Sequence, residues 1–164
     1  MLEYTEFINA MRATSSSTEK VQIIKNASGD VHRLLEYTYN PFKQYHVTSK
    51  TCKKRSDLIN EESDSPLYEL LDKLTNRDIT GHDAVRCINT FAAHKYDPII
   101  YKIIDKDLGI RAGAKVINKA VPGLIPTFSV ALAKEYDDKC DWVNDAWYAS
   151  RKLDGIRCLA VVNY

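Results

Sequence analysis

The chain has 164 residues, 45% hydrophobic and 27% charged, with a formal net charge of +1. That length suits one ordinary domain, or one domain and part of another, with enough apolar side chains for a core. A charge balance so near zero excludes a bulk pull toward nucleic acid or an anionic membrane, so any polyanion site is a local patch.

The start, Met1-Leu2-Glu3-Tyr4-Thr5-Glu6, carries acids where a signal peptide has a basic and then an apolar stretch. Glu3 to Met11 places Phe7, Ile8 and Met11 at helical spacing. Ser15-Ser16-Ser17-Thr18 supplies a loop and a cap for a second helix, with Glu19 just inside it. That helix carries Val21, Ile23, Ile24 and Ala27, and Gly29 is its expected stop. Asp30 is the expected cap of a third helix holding Val31, Leu34, Leu35 and Thr38. Asn40-Pro41 ends it, because proline disfavours helical geometry in the residue before it. Residues 43–64 read as polar and irregular, with a basic cluster at Lys50, Lys53, Lys54 and Arg55 followed by Glu61, Glu62 and Asp64. The cluster by itself reads as a solvated loop.

Pro66 opens a helix with Leu67, Leu70, Leu71 and Leu74 on one face. Thr80 or Asp83 starts the next, with Val85, Ile88, Phe91 and Ala92 inward. Asp97-Pro98 precedes Ile99, Ile100, Ile103 and Ile104, and Gly113 begins a last short helix through Val116, Ile117 and Ala120. Val121-Pro122-Gly123 ends it, and a linker rich in polar and breaker residues follows. From Trp147 the pattern turns strand-like, with an Asp154-Gly155 turn between Trp147–Arg151 and Ile156–Val162. No internal repeat is visible. The expected fold class is mainly α: a helical domain over 1–128, a linker over 129–146, and a short β-hairpin over 147–164.

The four cysteines, Cys52, Cys87, Cys140 and Cys158, lie too far apart for metal knuckles and read as reduced thiols of a cytoplasmic protein. The longest clearly apolar run, Cys158 to Val162, is far short of the roughly 18 residues that cross a bilayer. His32, His46, His82 and His94 show no metal-ligand spacing, so no metal ligand is assigned. Tyr37, Tyr39 and Tyr45 read as core or boundary aromatics rather than base-stacking platforms.

The strongest chemical signal is Lys152-Leu153-Asp154-Gly155-Ile156-Arg157, a K-x-D-G-x-R hexad. A free lysine has a pKa of about 10.4, so a nucleophilic lysine needs burial or nearby positive charge. Arg151 and Arg157 flank Lys152, but in a strand Arg151 points to the opposite face, whereas Arg157 lies beyond the turn. Gly155 permits a left-handed backbone close to a ligand, and Asp154 braces the turn. Taken alone, the hexad is equally compatible with an exposed hairpin turn.

The hexad resembles the lysine motif of covalent nucleotidyltransferases: ATP-dependent DNA ligases, RNA ligases and mRNA capping enzymes. A second stretch narrows this. Ile79-Thr80-Gly81-His82-Asp83-Ala84, Asp105 to Ala114, and Asn118-Lys119-Ala120-Val121-Pro122-Gly123-Leu124-Ile125-Pro126 resemble the end of the helical DNA-binding domain of ATP-dependent DNA ligases, those of tailed bacteriophages above all. Leu132-Ala133-Lys134-Glu135-Tyr136 resembles the linker that follows in such ligases. The likeness covers about the last half of the chain. The first 60 residues match only as helices of suitable length.

The resemblance implies an enzyme that seals nicks in duplex DNA, with ATP and Mg2+ as cofactors, working as a monomer in the cytoplasm, that of the host if viral, and with no membrane partner. Lys152 is the implied catalytic nucleophile and carrier of AMP. Arg157 matches the family arginine at the nucleotide sugar or nick phosphate. Ser150 stands where many ligases carry a glutamate near the adenine, which leaves backbone contacts to the base. Implied DNA-binding residues are Lys106, Gly109, Arg111, Gly113, Lys115 and Lys119. Exposed amides at a helix start, glycines that admit a DNA backbone, and cations along the helix all favour phosphate over base contacts. A ligase needs further strands, metal ligands and an oligonucleotide-binding domain beyond Arg157, so the 164 residues alone are expected to grip DNA without catalysis. The alternatives are a stand-alone DNA-binding module, or an RNA ligase or capping-type enzyme, whose families usually lack such a long helical N-terminal region.

Overall fold

A computed structural model of the protein describes residues 2–60, 65–94 and 98–127. These form eight helices: α1 Leu2–Ala13, α2 Ser17–Lys25, α3 Gly29–Tyr39, α4 Ser49–Lys54, α5 Leu67–Thr75, α6 Gly81–His94, α7 Ile99–Ile104 and α8 Ala114–Ala120. They belong to a compact unit, Met1–Phe128; a second unit, Ser129–Tyr164, lies outside the described residues. The linker over 129–146 and the Trp147–Val162 hairpin fall there too. Every regular element among the described residues is a helix, with no strand or sheet, so among them the expected class of helices plus a β-hairpin is corrected to helices alone. The apolar residues recur every three or four positions, and only a helix gathers that spacing onto one buried face.

Local chemistry sets the helix ends. The Ser16 hydroxyl accepts from the Glu19 amide at 3.3 Å and caps α2. The expected stop at Gly29 and cap at Asp30 are corrected. α2 ends at Lys25, and Ser28, with extended backbone (φ −69, ψ 165), caps α3 by accepting from Val31 N at 3.3 Å. Gly29 is thus the first residue of α3, and Asp30 sits in the first turn, where a carboxylate complements the helix dipole. The polar stretch 43–64 is also less irregular than expected. It contains α4, capped by Thr48, with only Cys52 turned inward. One inward residue is too little periodicity to reveal a helix.

One core runs through the unit. Met11, Ile24, Leu34, Leu35, Leu71 and Leu74 are fully buried together with Ile88, Ile100, Ile103 and Ile117. The packing is reciprocal. α2 packs on α8, α6 on α4, and α3 on α7. The order α1–α3, loop, α4 is followed by α5–α7, loop, α8. In each half a residue with left-handed backbone stands two positions before the cap of the short helix: His46 (φ 56) before Thr48, and Arg111 (φ 51) before Gly113. The two halves thus share a helix order and a backbone turn that the sequence does not display as a repeat. Packing constrains only volume and polarity at each site, so two halves can share geometry with different side chains.

Buried polar groups are matched, and among the described residues none of the buried side-chain N or O atoms lacks a partner. Asn89 of α6 donates to the Cys52 and Arg55 carbonyls at 3.1 and 2.8 Å, closing the end of α4, and its oxygen accepts from Tyr101 Oη at 3.1 Å. Across the α3–α5 seam, Tyr37 Oη donates to both Asp72 oxygens at 2.9 Å, and Arg33 stacks 4.0 Å from the Tyr68 ring centroid.

Leu35 is fully buried among these helices. Leu35→Ala is expected to lower unfolding stability by about 2–5 kcal/mol, read from the urea midpoint of the circular dichroism signal.

Candidate nucleic-acid interface

The segment from Asp105 to Gly113 joins α7 to α8 and holds most of the candidate DNA contacts. Its backbone is unusual: Lys106, Gly109 and Arg111 all have positive φ, at 60°, 69° and 51°. Such a path needs support, because the left-handed region is unfavourable for side-chain-bearing residues.

Support comes from neighbouring elements. Leu108 and Ile110 are completely buried and anchor the loop to the core. The Asp107 carboxylate accepts from Gly109 N at 2.7 Å, forming a local Asx turn. Arg12 at the end of α1 donates to Gly109 O at 3.1 Å and Leu108 O at 3.3 Å. Lys20 of α2 is only 4% exposed, and its ammonium donates to Ile110 O at 2.9 Å and Arg111 O at 3.0 Å. Asp105 ties the segment to the first turn of α4, accepting from Ser49 N at 2.8 Å and from the Ser49 hydroxyl.

The candidate residues separate into two groups. Lys106 turns inward. Its ammonium donates to Asn40 O at 3.0 Å and Tyr37 O at 3.4 Å, and stands 4.6 Å from the Tyr45 ring centroid. These are the carbonyls at the end of α3, where a cation complements the helix dipole. Burial, with the nearby positive charge of Lys43, lowers its pKa to about 8. Gly109 is not open to a ligand either. A Cβ there would come within 2.5 Å of the Arg12 guanidinium, which covers this stretch of the loop.

Arg111, Gly113, Lys115 and Lys119 form the second group, and all are exposed. Gly113 is the N-cap of α8, and Lys115 and Lys119 stand four residues apart, on one face of that helix. Ile117 and Ala120 bury its other side against α2. The tail is clamped back by Asn118, which donates to Ile125 O at 2.7 Å and accepts from Ile125 N at 2.8 Å. Lys50, Lys53, Lys54 and Arg55 on α4 and at its end are likewise exposed, while Cys52 faces in. Burial raises the Cys52 thiol to about 11, which leaves it protonated and inert near neutrality. Tyr37 and Tyr45 are buried and Tyr39 is half-buried, so they serve the core, as expected. Burial pushes the Tyr39 phenol up to about 12.

Lys152, Arg157 and Ser150 lie outside the described residues. Among the described residues no cluster of three or more His, Cys, Asp or Glu could hold a metal ion, and no helix is long and apolar enough to cross a membrane.

Sequence reasoning missed the supporting residues, Lys20 above all. A signal existed: Lys20 stands four positions before Ile24, in line with the buried stripe of α2. A lysine on an apolar stripe is a candidate buried cation that needs acceptors elsewhere in the fold.

This geometry, a rigid loop and a short helix presenting cations outward, suits contact with a polyanion backbone. Searched against protein-family models, the chain matches none. It is 28% identical over 168 aligned residues to the DNA ligases of Enterobacteria phages T4 and T6, a match covering 96% of this chain and 34% of each ligase. The chain therefore spans about a third of the length of the curated relatives it matches.

Lys20→Met keeps the packing stem but removes the donor, leaving the Ile110 and Arg111 carbonyls without it. It is expected to cost about 1.5–3 kcal/mol in urea melts and to speed amide exchange in the Leu108–Gly113 loop. Lys106 gives a pH signature. Its folded pKa of about 8 lies below the unfolded value of 10.5, so between the two the unfolded chain holds the extra proton. Stability contributed by this group thus rises from pH 8 toward pH 10. The urea midpoint should climb over that window in wild type and lose that climb in Lys106→Met.

Proposed function

We propose that the chain is the N-terminal part of an ATP-dependent DNA ligase of the tailed-phage kind, in which residues 1–128 grip nicked duplex DNA and residues 147–164 open the adenylation domain. The observation that carries this reading is the similarity to phage T4 and T6 DNA ligases across 96% of the chain, with K-x-D-G-x-R in place at Lys152–Arg157. Location in the host cytoplasm and a monomeric state belong to the same reading.

The cations of Arg111, Lys115 and Lys119 would meet successive phosphates, and the mean strength of such contacts is independent of sequence. A nick sealer needs that property, because nicks occur at any sequence. Arg12 and Lys20 hold the loop before binding, so little ordering entropy opposes it. Lys106 acts here as a positioning group for the end of α3 rather than as a phosphate ligand.

For the chemistry, the Lys152 amine would attack the α-phosphorus of ATP and expel pyrophosphate, giving a phosphoramidate-linked AMP. AMP would pass to the 5′-phosphate at the nick, and the 3′-hydroxyl would displace it to close the strand. Arg157 would contact the nucleotide sugar or the nick phosphate, and the backbone at Ser150 would contact the base. Magnesium, which the resemblance implies, has no ligand cluster among the described residues.

Nicked duplex binding by the 164-residue chain should weaken steeply with salt. Changing Arg111, Lys115 and Lys119 to Gln should lower the log–log salt slope by about 0.9 for each phosphate that is no longer neutralised. No affinity at low salt, or a triple variant that binds like wild type, overturns the interface. Incubated with α-labelled ATP and magnesium, the 164 residues alone are expected to retain no label. Label that they do retain, and that Lys152→Ala abolishes, would overturn the inactivity while establishing the lysine.

A further inference from the structure

A second polar site lies away from α8, where the loop before α4 meets the start of α6. An open pocket of about 300 Å3 is lined there by His46, Thr48, Thr51, Arg55 and His82, with Val85 at its apolar wall. Its lining includes no carboxylate. Asp83, the nearest acid along α6, is bound to Arg86 at 2.8 Å. The polar lining is thus hydroxyls, imidazoles and one guanidinium, a donor set matched to a phosphate group.

Three features make it more than a solvated dent. His46 holds a left-handed backbone (φ 56), which costs a histidine energy and brings its imidazole to the pocket. Gly81 is left-handed as well (φ 58), and a Cβ there would meet no atom within 4 Å, so this wall stands open to a ligand. Arg55 Nη1 lies 2.5 Å from His82 Nε2. A guanidinium only donates, so in this contact the imidazole nitrogen accepts. A neutral imidazole is a weaker acceptor for a guanidinium than an oxyanion is. An entering phosphate oxygen would therefore take over Arg55, with the imidazole of His82 beside it.

We infer that this pocket binds one backbone phosphate of duplex DNA, through Arg55 and His82 with the free hydroxyl proton of the bonded Thr48–Thr51 pair, as a contact separate from the α8 face. The inference rests on the DNA-binding reading above. The second half of the helix order carries its basic face on α8, and this pocket lies at the corresponding helix, α4. Lys50, Lys53 and Lys54 on α4 extend the positive surface beside it.

The experiment uses the full 164-residue chain. Arg55→Gln should weaken nicked duplex binding and lower the log–log salt slope by about 0.9, whereas Lys25→Gln on α2, outside the pocket, should leave the slope unchanged. His82→Gln, at an exposed helix start, should weaken binding in the same way and gives a second reading should Arg55→Gln fold poorly. Duplex affinity and slope equal to wild type in both pocket variants would overturn the proposal. Inorganic phosphate, titrated at low salt, should shift the imidazole proton resonances of His46 and His82 before those of His32. If wild type binds no duplex, the DNA reading itself has failed, and the phosphate titration then decides the pocket alone: shifts at His46 and His82 keep an anion pocket, and their absence removes it.

Discussion

A buried ammonium group organises this unit. Lys20 is almost wholly enclosed, and an enclosed charge survives only where acceptors surround it. Its acceptors are the carbonyls of Ile110 and Arg111, about ninety residues away in the chain. Their position fixes the loop before α8, and α2, which carries the lysine, is also the helix on which α8 packs. One interaction thus sets both the path of the loop and the seat of the helix. Arg12 repeats the device at the next two carbonyls upstream. With its carbonyls engaged from inside, the loop leaves Arg111 on the outer surface.

The basic residues consequently do two different jobs. Lys20 and Lys106 are internal struts that cap carbonyls, and Arg12 caps two more from an exposed position. Arg111, Lys115, Lys119 and the α4 group are external and form no part of that scaffold. A net charge of +1 conceals this sorting entirely. What matters to a polyanion is the local arrangement of the outward set, since screening confines such fields to about 8–10 Å at ordinary salt.

The two halves use different means to reach related geometry. Lys20 of α2 binds the loop before α8, whereas Asn89 of α6 binds the carbonyls that end α4. A charged donor thus serves the start of one short helix and a neutral donor the end of the other. The neutral one leaves no buried charge, and the short helix it supports carries its cations outward at Lys50, Lys53 and Lys54. The basic faces of α4 and α8 thus stand at corresponding places in the two halves of the helix order.

By itself the sequence determined the helices with apolar stripes. α5 and α6 follow from Leu70, Leu71 and Leu74 and from Val85, Ile88 and Phe91, because helical period and burial coincide there. It determined the family likeness too, through residues that need no packing to be recognised. It misplaced the cap of α3, because serine and aspartate two residues apart are equally competent and only the backbone angles choose. It did not reveal α4, where one buried cysteine carries all the periodicity. The tertiary structure alone decided which cations cap distant carbonyls. A lysine's role depends on whether carbonyls from a distant segment reach it, and the contacts of Lys20, Arg12 and Lys106 span 66 to 97 residues of chain.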